Sequence, residues 1–180
     1  MGTVRVEQRV AWRYKRHLLL VAVTVVACLI GPVTAQTEVG GHVGVVFPLV
    51  TRTNGTNTTI ADSFSVGFPT GITLRGQGGI AFDMEFVPLV QNSPRNVSLT
   101  FHPGLIWAVG HRFGVGMRAA FDVNSSQLGF TPLVNKSWPI EGGFFKAYFV
   151  EADLPVRFNR PPGGPNSNPV TFAMHFGVGF

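Results

Sequence analysis

Nine ionisable side chains recur at alternate positions of segments that are otherwise apolar or small: Arg75, Asp83, Glu85, Arg112, Arg118, Asp122, Glu151, Asp153 and Arg157. Each shares its parity with Gly, Ser or Thr, while Phe, Val, Ile, Leu and Met take the other parity. Unpaired buried charge is costly, so four positive and five negative groups on one inward face are expected to pair into a network. A polar path for water or small ions is the sharper alternative. His42 and His175 have the same parity and are weak candidates for a metal, with Glu151 or Glu85 as a third ligand. Two histidines without a tight motif are read first as a hydrogen-bonded pair, so no metal or cofactor is expected. His102 is expected to be satisfied inside the same network, and His111 to be exposed on a turn. A Ser-His-Asp set can be assembled from Ser65, His102 and Asp83, but nothing in their spacing specifies it. No histidine faces outward to meet an acyl chain. No catalytic residue is assigned, and the chain is not read as an enzyme.

The elements that carry these residues have period two, the mark of β-strands. In DSFSVGFPTGITLR (62–75), Phe64, Val66, Phe68, Ile72 and Leu74 share one face. Residues 80–90, 97–109, 112–123 and 144–158 repeat the pattern strongly, 39–50 and 169–180 similarly, and 127–135 more weakly. That makes eight strands and no helix of useful length.

The N-terminus imposes a second constraint. Arg5, Arg9, Arg13, Lys15, Arg16 and His17 precede a 13-residue run, Leu18 to Ile30, that is apolar apart from Thr24. Val33-Thr34-Ala35 then offers the small residues of a signal-peptidase site, with cleavage expected between Ala35 and Gln36. Residues 1–35 are read as a cleavable signal peptide and 36–180 as one domain. Five of the 14 basic residues and one of the nine acids fall in that leader, leaving nine and eight, a net charge of +1. The high overall pI therefore gives no support to a nucleic-acid partner. The single cysteine, Cys28, also lies in the leader, so the mature chain has no disulfide and no thiol nucleophile.

Charged residues make up about 12% of positions 36–180, against roughly 25% in ordinary soluble domains. A water-facing strand surface would hold far more Lys and Glu. The alternating strands therefore present their apolar face to lipid. In lipid every backbone group must be satisfied internally, so the sheet must close. Strands of this length suit a tilted membrane span, and eight of them enclose a lumen only wide enough for side chains. The expected fold is all-β, an eight-stranded antiparallel up-and-down transmembrane β-barrel. The outer loops are expected at 51–61, 91–96, 124–126 and 159–168, and the inner turns at 76–79, 110–111 and 136–143. Trp107 and Trp138 are expected near the inner interface. Pro48, Pro69, Pro88, Pro103, Pro132 and Pro155 all fall inside proposed strands. They are expected at bulges or strand ends toward the outer rim, or else to mark a secreted soluble β-sandwich with edge strands.

The leader, the eight alternating strands and the final HFGVGF resemble small bacterial outer-membrane β-barrels of the OmpA/OmpX type. The resemblance covers residues 36–180 as architecture only, and no peptidoglycan-binding domain is seen. It implies a Gram-negative outer-membrane location, a lipid surround and a monomer. It also implies that Phe176, Val178 and Phe180 act as the tag read by the barrel-assembly machinery. Three functions remain open: a barrel with a charge-plugged lumen in a structural or surface-contact role, its extracellular ligand unknown; a small pore; and a lipid-modifying enzyme.

Overall fold

In a computed structural model, residues 38–123, 125, 127–161 and 163–180 are described. The expected leader and the cleavage expected between Ala35 and Gln36 lie outside the described residues.

The described chain forms strands β1 (Glu38–Thr53), β2 (Thr56–Thr59), β3 (Ser65–Gly67), β4 (Thr70–Arg75), β5 (Ile80–Asn92), β6 (Arg95–Gly110), β7 (Phe113–Asp122), β8 (Leu128–Pro139), β9 (Ala147–Asp153), β10 (Val156–Phe158) and β11 (Val170–Gly179). β3 with β4, and β9 with β10, each make one stave interrupted near a proline, so the ring has eight staves. All pairings are antiparallel between neighbours in the chain, and β11 pairs with both β9 and β1. This last pairing closes the ring. A sandwich with edge strands is thereby overturned, because the first and last staves leave no free edge between them. The closure is sealed where Gly41 and Phe180 exchange both backbone hydrogen bonds, each at 2.9 Å.

The termini of the ring, Glu38 and Phe180, lie at one end, here called proximal; the hairpins near Asn54 and Pro94 lie at the other, the distal end. The proximal turns are short, with a single 3-10 turn at Gln77–Gly79. At the distal end β1 runs on to Thr53 and β2 folds back on it, pairing Thr53 with Thr56 and Val50 with Thr59. The expected loop 51–61 is therefore largely a hairpin. Asn54 and Gly55 both have positive φ, 50° and 88°, as the two-residue turn of a tight hairpin demands. Likewise β8 extends through Pro139, so the expected turn 136–143 is shorter and shifted to 140–146.

Three of the six prolines behave as expected. Pro48 borders a register shift between Pro48 and Val50, and Pro69 and Pro155 sit at the two stave interruptions. Pro88, Pro103 and Pro132 instead lie within continuous strands. There Pro88 and Pro132 keep their carbonyls hydrogen-bonded: Phe68 donates to the Pro88 oxygen and Leu154 to the Pro132 oxygen, both at 2.9 Å. A proline gives up a donor and retains an acceptor, so a long stave tolerates one.

Candidate functional site: a charged septum in the lumen

Alternation sorts the two faces of the ring. Phe64, Phe86, Phe121, Phe172 and Phe176 are exposed on the outside, with Phe86 at 45%, whereas Asp83 on the same stave is fully buried. At the proximal end this outer face becomes aromatic. Trp138 stacks on Tyr148 at 5.1 Å, Phe144 stacks on Phe180 at 5.0 Å, and Trp107 is exposed three residues before the turn. Aromatic rings at the rim of an apolar belt suit the water–lipid boundary.

The lumen is filled by large side chains seated over glycines. His42 pairs across the sheet with Gly71, Arg118 with Gly104, Phe149 with Gly177 and Arg157 with Gly129. A Cβ at Gly104 would lie 2.6 Å from the Arg118 side chain, and one at Gly177 would lie 2.6 Å from the Phe149 ring. In so narrow a ring, a glycine opposite gives these four bulky inward residues the space they occupy.

The central layer consists of Asp83, Glu85, Arg118, Glu151 and Asp153, all buried, with His42, His102 and His175. Arg118 is its hub. Its Nε donates to Asp83 Oδ2 at 2.9 Å and its Nη1 to Glu151 Oε1 at 2.6 Å. The same Nη1 lies 3.7 Å from Glu85 Oε2 and 3.9 Å from Asp153 Oδ1. Thr73 donates to Asp83 Oδ1 at 2.7 Å, and Asn135 donates to Glu151 Oε2 at 3.2 Å. His42 Nε2 bonds Glu85 Oε1 at 3.0 Å. His102 uses both ring nitrogens: Nδ1 on Glu85 Oε2 at 3.2 Å, and Nε2, which accepts from Arg157 at 3.0 Å. This arrangement fixes one neutral tautomer for His102. It also leaves no ring nitrogen for Ser65, so the Ser65–His102–Asp83 set is not assembled.

His42 and His175 come together as closure of the ring requires, with ring centroids 6.1 Å apart. They do not face each other. His175 Nδ1 turns to Glu151 Oε1 at 3.4 Å, and both imidazoles pack edge-on against the inward ring of Phe149. Phe149 was legible from the outward parity of Tyr148 and Val150, as was Thr73 from its own strand; Asn135 lay at the end of the weakest strand pattern.

Not all nine expected lumen charges join this layer. Arg75 ends its strand at the proximal mouth, half-exposed and 3.9 Å from Glu38. Arg112 sits exposed in the β6–β7 turn with φ 64°, beside the exposed His111 at φ 50°. Long cationic side chains at a strand end reach water more cheaply than they are buried. Toward the distal end, Asp122 accepts from Thr100 at 2.6 Å and Arg157 donates to Thr131 at 3.3 Å. The centre is therefore acidic, with four carboxylates around one guanidinium, where a near-balanced set was expected.

Two cavities flank the layer. The proximal one, about 340 Å³, reaches Arg75, Arg112, Asp83, Glu151 and Arg118. The distal one, about 550 Å³, reaches Glu85, His102, Asp153, His175, Arg157 and again Arg118. A single layer of side chains separates them, and Arg118 borders both. Three strands supply most of that layer: Asp83 and Glu85 on β5, Arg118 on β7, and Glu151 and Asp153 on β9.

No protein-family model matches the sequence, and no curated protein matches it. Among solved structures, the chain is similar to the outer membrane protein OprG from Pseudomonas aeruginosa. The TM-score is 0.39 at 9% sequence identity, over 81% of this chain and 97% of that one.

Proposed function

We propose that this chain is a monomeric barrel of a Gram-negative outer membrane whose lumen is closed by the Arg118 septum. In this reading it has no enzymatic role and acts as a structural or surface-contact element through its distal hairpins. One observation carries the reading: Arg118 borders both cavities and is held from two sides, by Asp83 at 2.9 Å and Glu151 at 2.6 Å. A guanidinium fixed between carboxylates on two other staves is a crosslink through the lumen, and ions cannot pass without breaking it. The apolar outer belt and its proximal aromatic rim support a lipid surround, with the proximal end toward the periplasm. Phe176, Val178 and Phe180 serve in this reading as the signal to the barrel-assembly machinery.

The test is reconstitution of the purified chain into planar bilayers, where no conductance above leak is expected. Substantial, reproducible single-channel steps would overturn the closed-lumen reading. They would favour a small pore, which the thinness of the septum between the 340 Å³ and 550 Å³ cavities makes the second choice. A heat-dependent mobility shift of the unboiled protein in the outer-membrane fraction tests the location independently.

A further inference from the structure

Asp153 Oδ1 is a buried carboxylate oxygen that accepts no hydrogen bond, and His175 Nε2, set against Gly44, is likewise unpaired. The two residues are 6% and 1% exposed. Buried polar atoms are seldom left in this state, and each exception calls for a reason. The two residues belong to one constellation, in which His175 turns Nδ1, not the unpaired Nε2, toward Glu151. Glu151-Ala152-Asp153 puts two carboxylates on the lumen face of β9, and His175 stands directly opposite Glu151 on β11. One ligand atom from each of Glu151, Asp153 and His175 can be chosen so that all three lie within 4.8 Å of one another. Ligands held about 2.1 Å from one ion lie at most about 4.2 Å apart, so small side-chain movements close the set.

Charge points the same way. Four buried carboxylates in the central layer surround one buried guanidinium, a formal −3 with neutral histidines. Arg157 and Asp122, half-buried farther toward the distal end, offset each other. An excess of that size in a low-dielectric lumen calls for counter-charge beyond what the chain's own cations supply.

The geometry points to a binding site for one divalent transition-metal ion, held by Glu151, Asp153 and His175. Two carboxylate oxygens and one imidazole nitrogen, with no thiolate, suit ions such as Zn²⁺ or Mn²⁺. Asp153 and His175 line the 550 Å³ distal cavity, which gives the ion an entry path from that mouth. Glu85 Oε1, 3.9 Å from His175 Nδ1, is the next carboxylate within reach. Arg118 keeps its bond to Asp83 when the ion shares Glu151. The site does not depend on the lumen being closed, since metal retention and conductance are read separately.

The test uses the full-length chain, untagged, purified in detergent from outer membranes and stripped with EDTA. It is dialysed to equilibrium against micromolar Zn²⁺ or Mn²⁺, and bound metal is measured by elemental analysis. One equivalent per chain is expected. Asp153→Asn and His175→Gln are each expected to lower affinity at least tenfold, whereas His111→Gln, in the exposed turn, leaves it unchanged. The heat-dependent gel shift reports whether each variant is folded. If His175→Gln does not fold, Asp153→Asn and the visible absorption of the Co²⁺-loaded chain carry the test. No metal retained by the wild-type chain overturns the proposal. Equal retention by wild type and Asp153→Asn, or an unchanged Co²⁺ spectrum, assigns the ion to the surface and also overturns it.

Discussion

Arg118 Nη1 and Glu151 Oε1, 2.6 Å apart, join β7 to β9 across the intervening stave β8. The bond runs through the lumen, outside the ladder. It therefore holds the cross-section of the ring as well as neutralising charge.

Replacing Arg118 with Met is expected to be far worse than the volume change suggests. It strands Asp83, Glu85, Glu151 and Asp153 together, and breaking a buried ion pair by removing one partner costs about 3–5 kcal/mol. Arg118→Lys restores the charge but not the fork that meets Asp83 and Glu151 at once. The expected order of the heat-modification temperature is wild type, then Lys, then Met. The Met variant should also show conductance in bilayers, since the bridge between the cavities is gone. A Met variant as heat-resistant as wild type would mean that the carboxylates are neutralised by another route.

Much of the ring was legible in the sequence because parity is a local property. Asp83 and Glu85 face in and Phe82, Met84 and Phe86 face out for the same reason: successive strand residues point to opposite faces. What parity does not carry is relative height. Glu85 Oε1 lies 3.9 Å from His175 Nδ1, but β5 and β11 are not adjacent staves. That meeting depends on the register of every hairpin in between and on the stagger at closure, where Val46, not His42, pairs with His175. Local irregularities were hidden too. The bulge after Pro48 makes Val50 the partner of outward Phe172 and turns Thr51 inward, where its hydroxyl meets that of Thr171 at 2.9 Å. The Asn54-Gly55 dipeptide carries the signature of a tight hairpin, which the reading of 51–61 as a loop passed over. Arg112 stays at the proximal mouth, outside the central layer, because it falls in the β6–β7 turn at positive φ, and no alternation foretells that.

The outer belt predicts a depth-dependent penalty. Phe86 lies mid-stave, its ring 5.0 Å from that of Phe101. Val97, 68% exposed, lies near the distal rim. A lysine at the bilayer midplane costs about 2–4 kcal/mol, against about 0–1 near the interface. Phe86→Lys should therefore lower folding stability in lipid vesicles by that larger amount, and Val97→Lys by little. Urea titrations of both variants in the same vesicles check this. Equal, small effects would mean that the belt does not face lipid.

Phe180 has two roles in the structure: its backbone closes the seam with Gly41, and its ring stacks on Phe144 at 5.0 Å. Phe180→Ser keeps the backbone bonds and loses the ring. The expected outcome is less protein in the outer-membrane fraction in cells, with refolding into detergent in vitro largely retained. Loss of both equally would assign Phe180 to the fold alone.

Asp62, in the distal loop after β2, gives a prediction that acid can reach. The Thr59 backbone N–H and its hydroxyl both donate to Asp62 Oδ2 at 2.8 Å, and these two bonds hold the carboxyl below its usual range. A carboxylate whose folded pKa is depressed contributes its stabilisation in full above the unfolded value, near 3.9, and loses it as pH falls through the folded value. The loop at 59–63 should therefore keep its order at pH 5 and loosen only well below pH 4, with the ring intact. Asp62→Asn removes the ionised acceptor and should give the loosened loop already at neutral pH. Amide exchange at Thr59 and Ser63 in detergent micelles, followed from pH 6 downward, reads both. Loosening of the wild-type loop already between pH 6 and 5 would assign its order to other contacts.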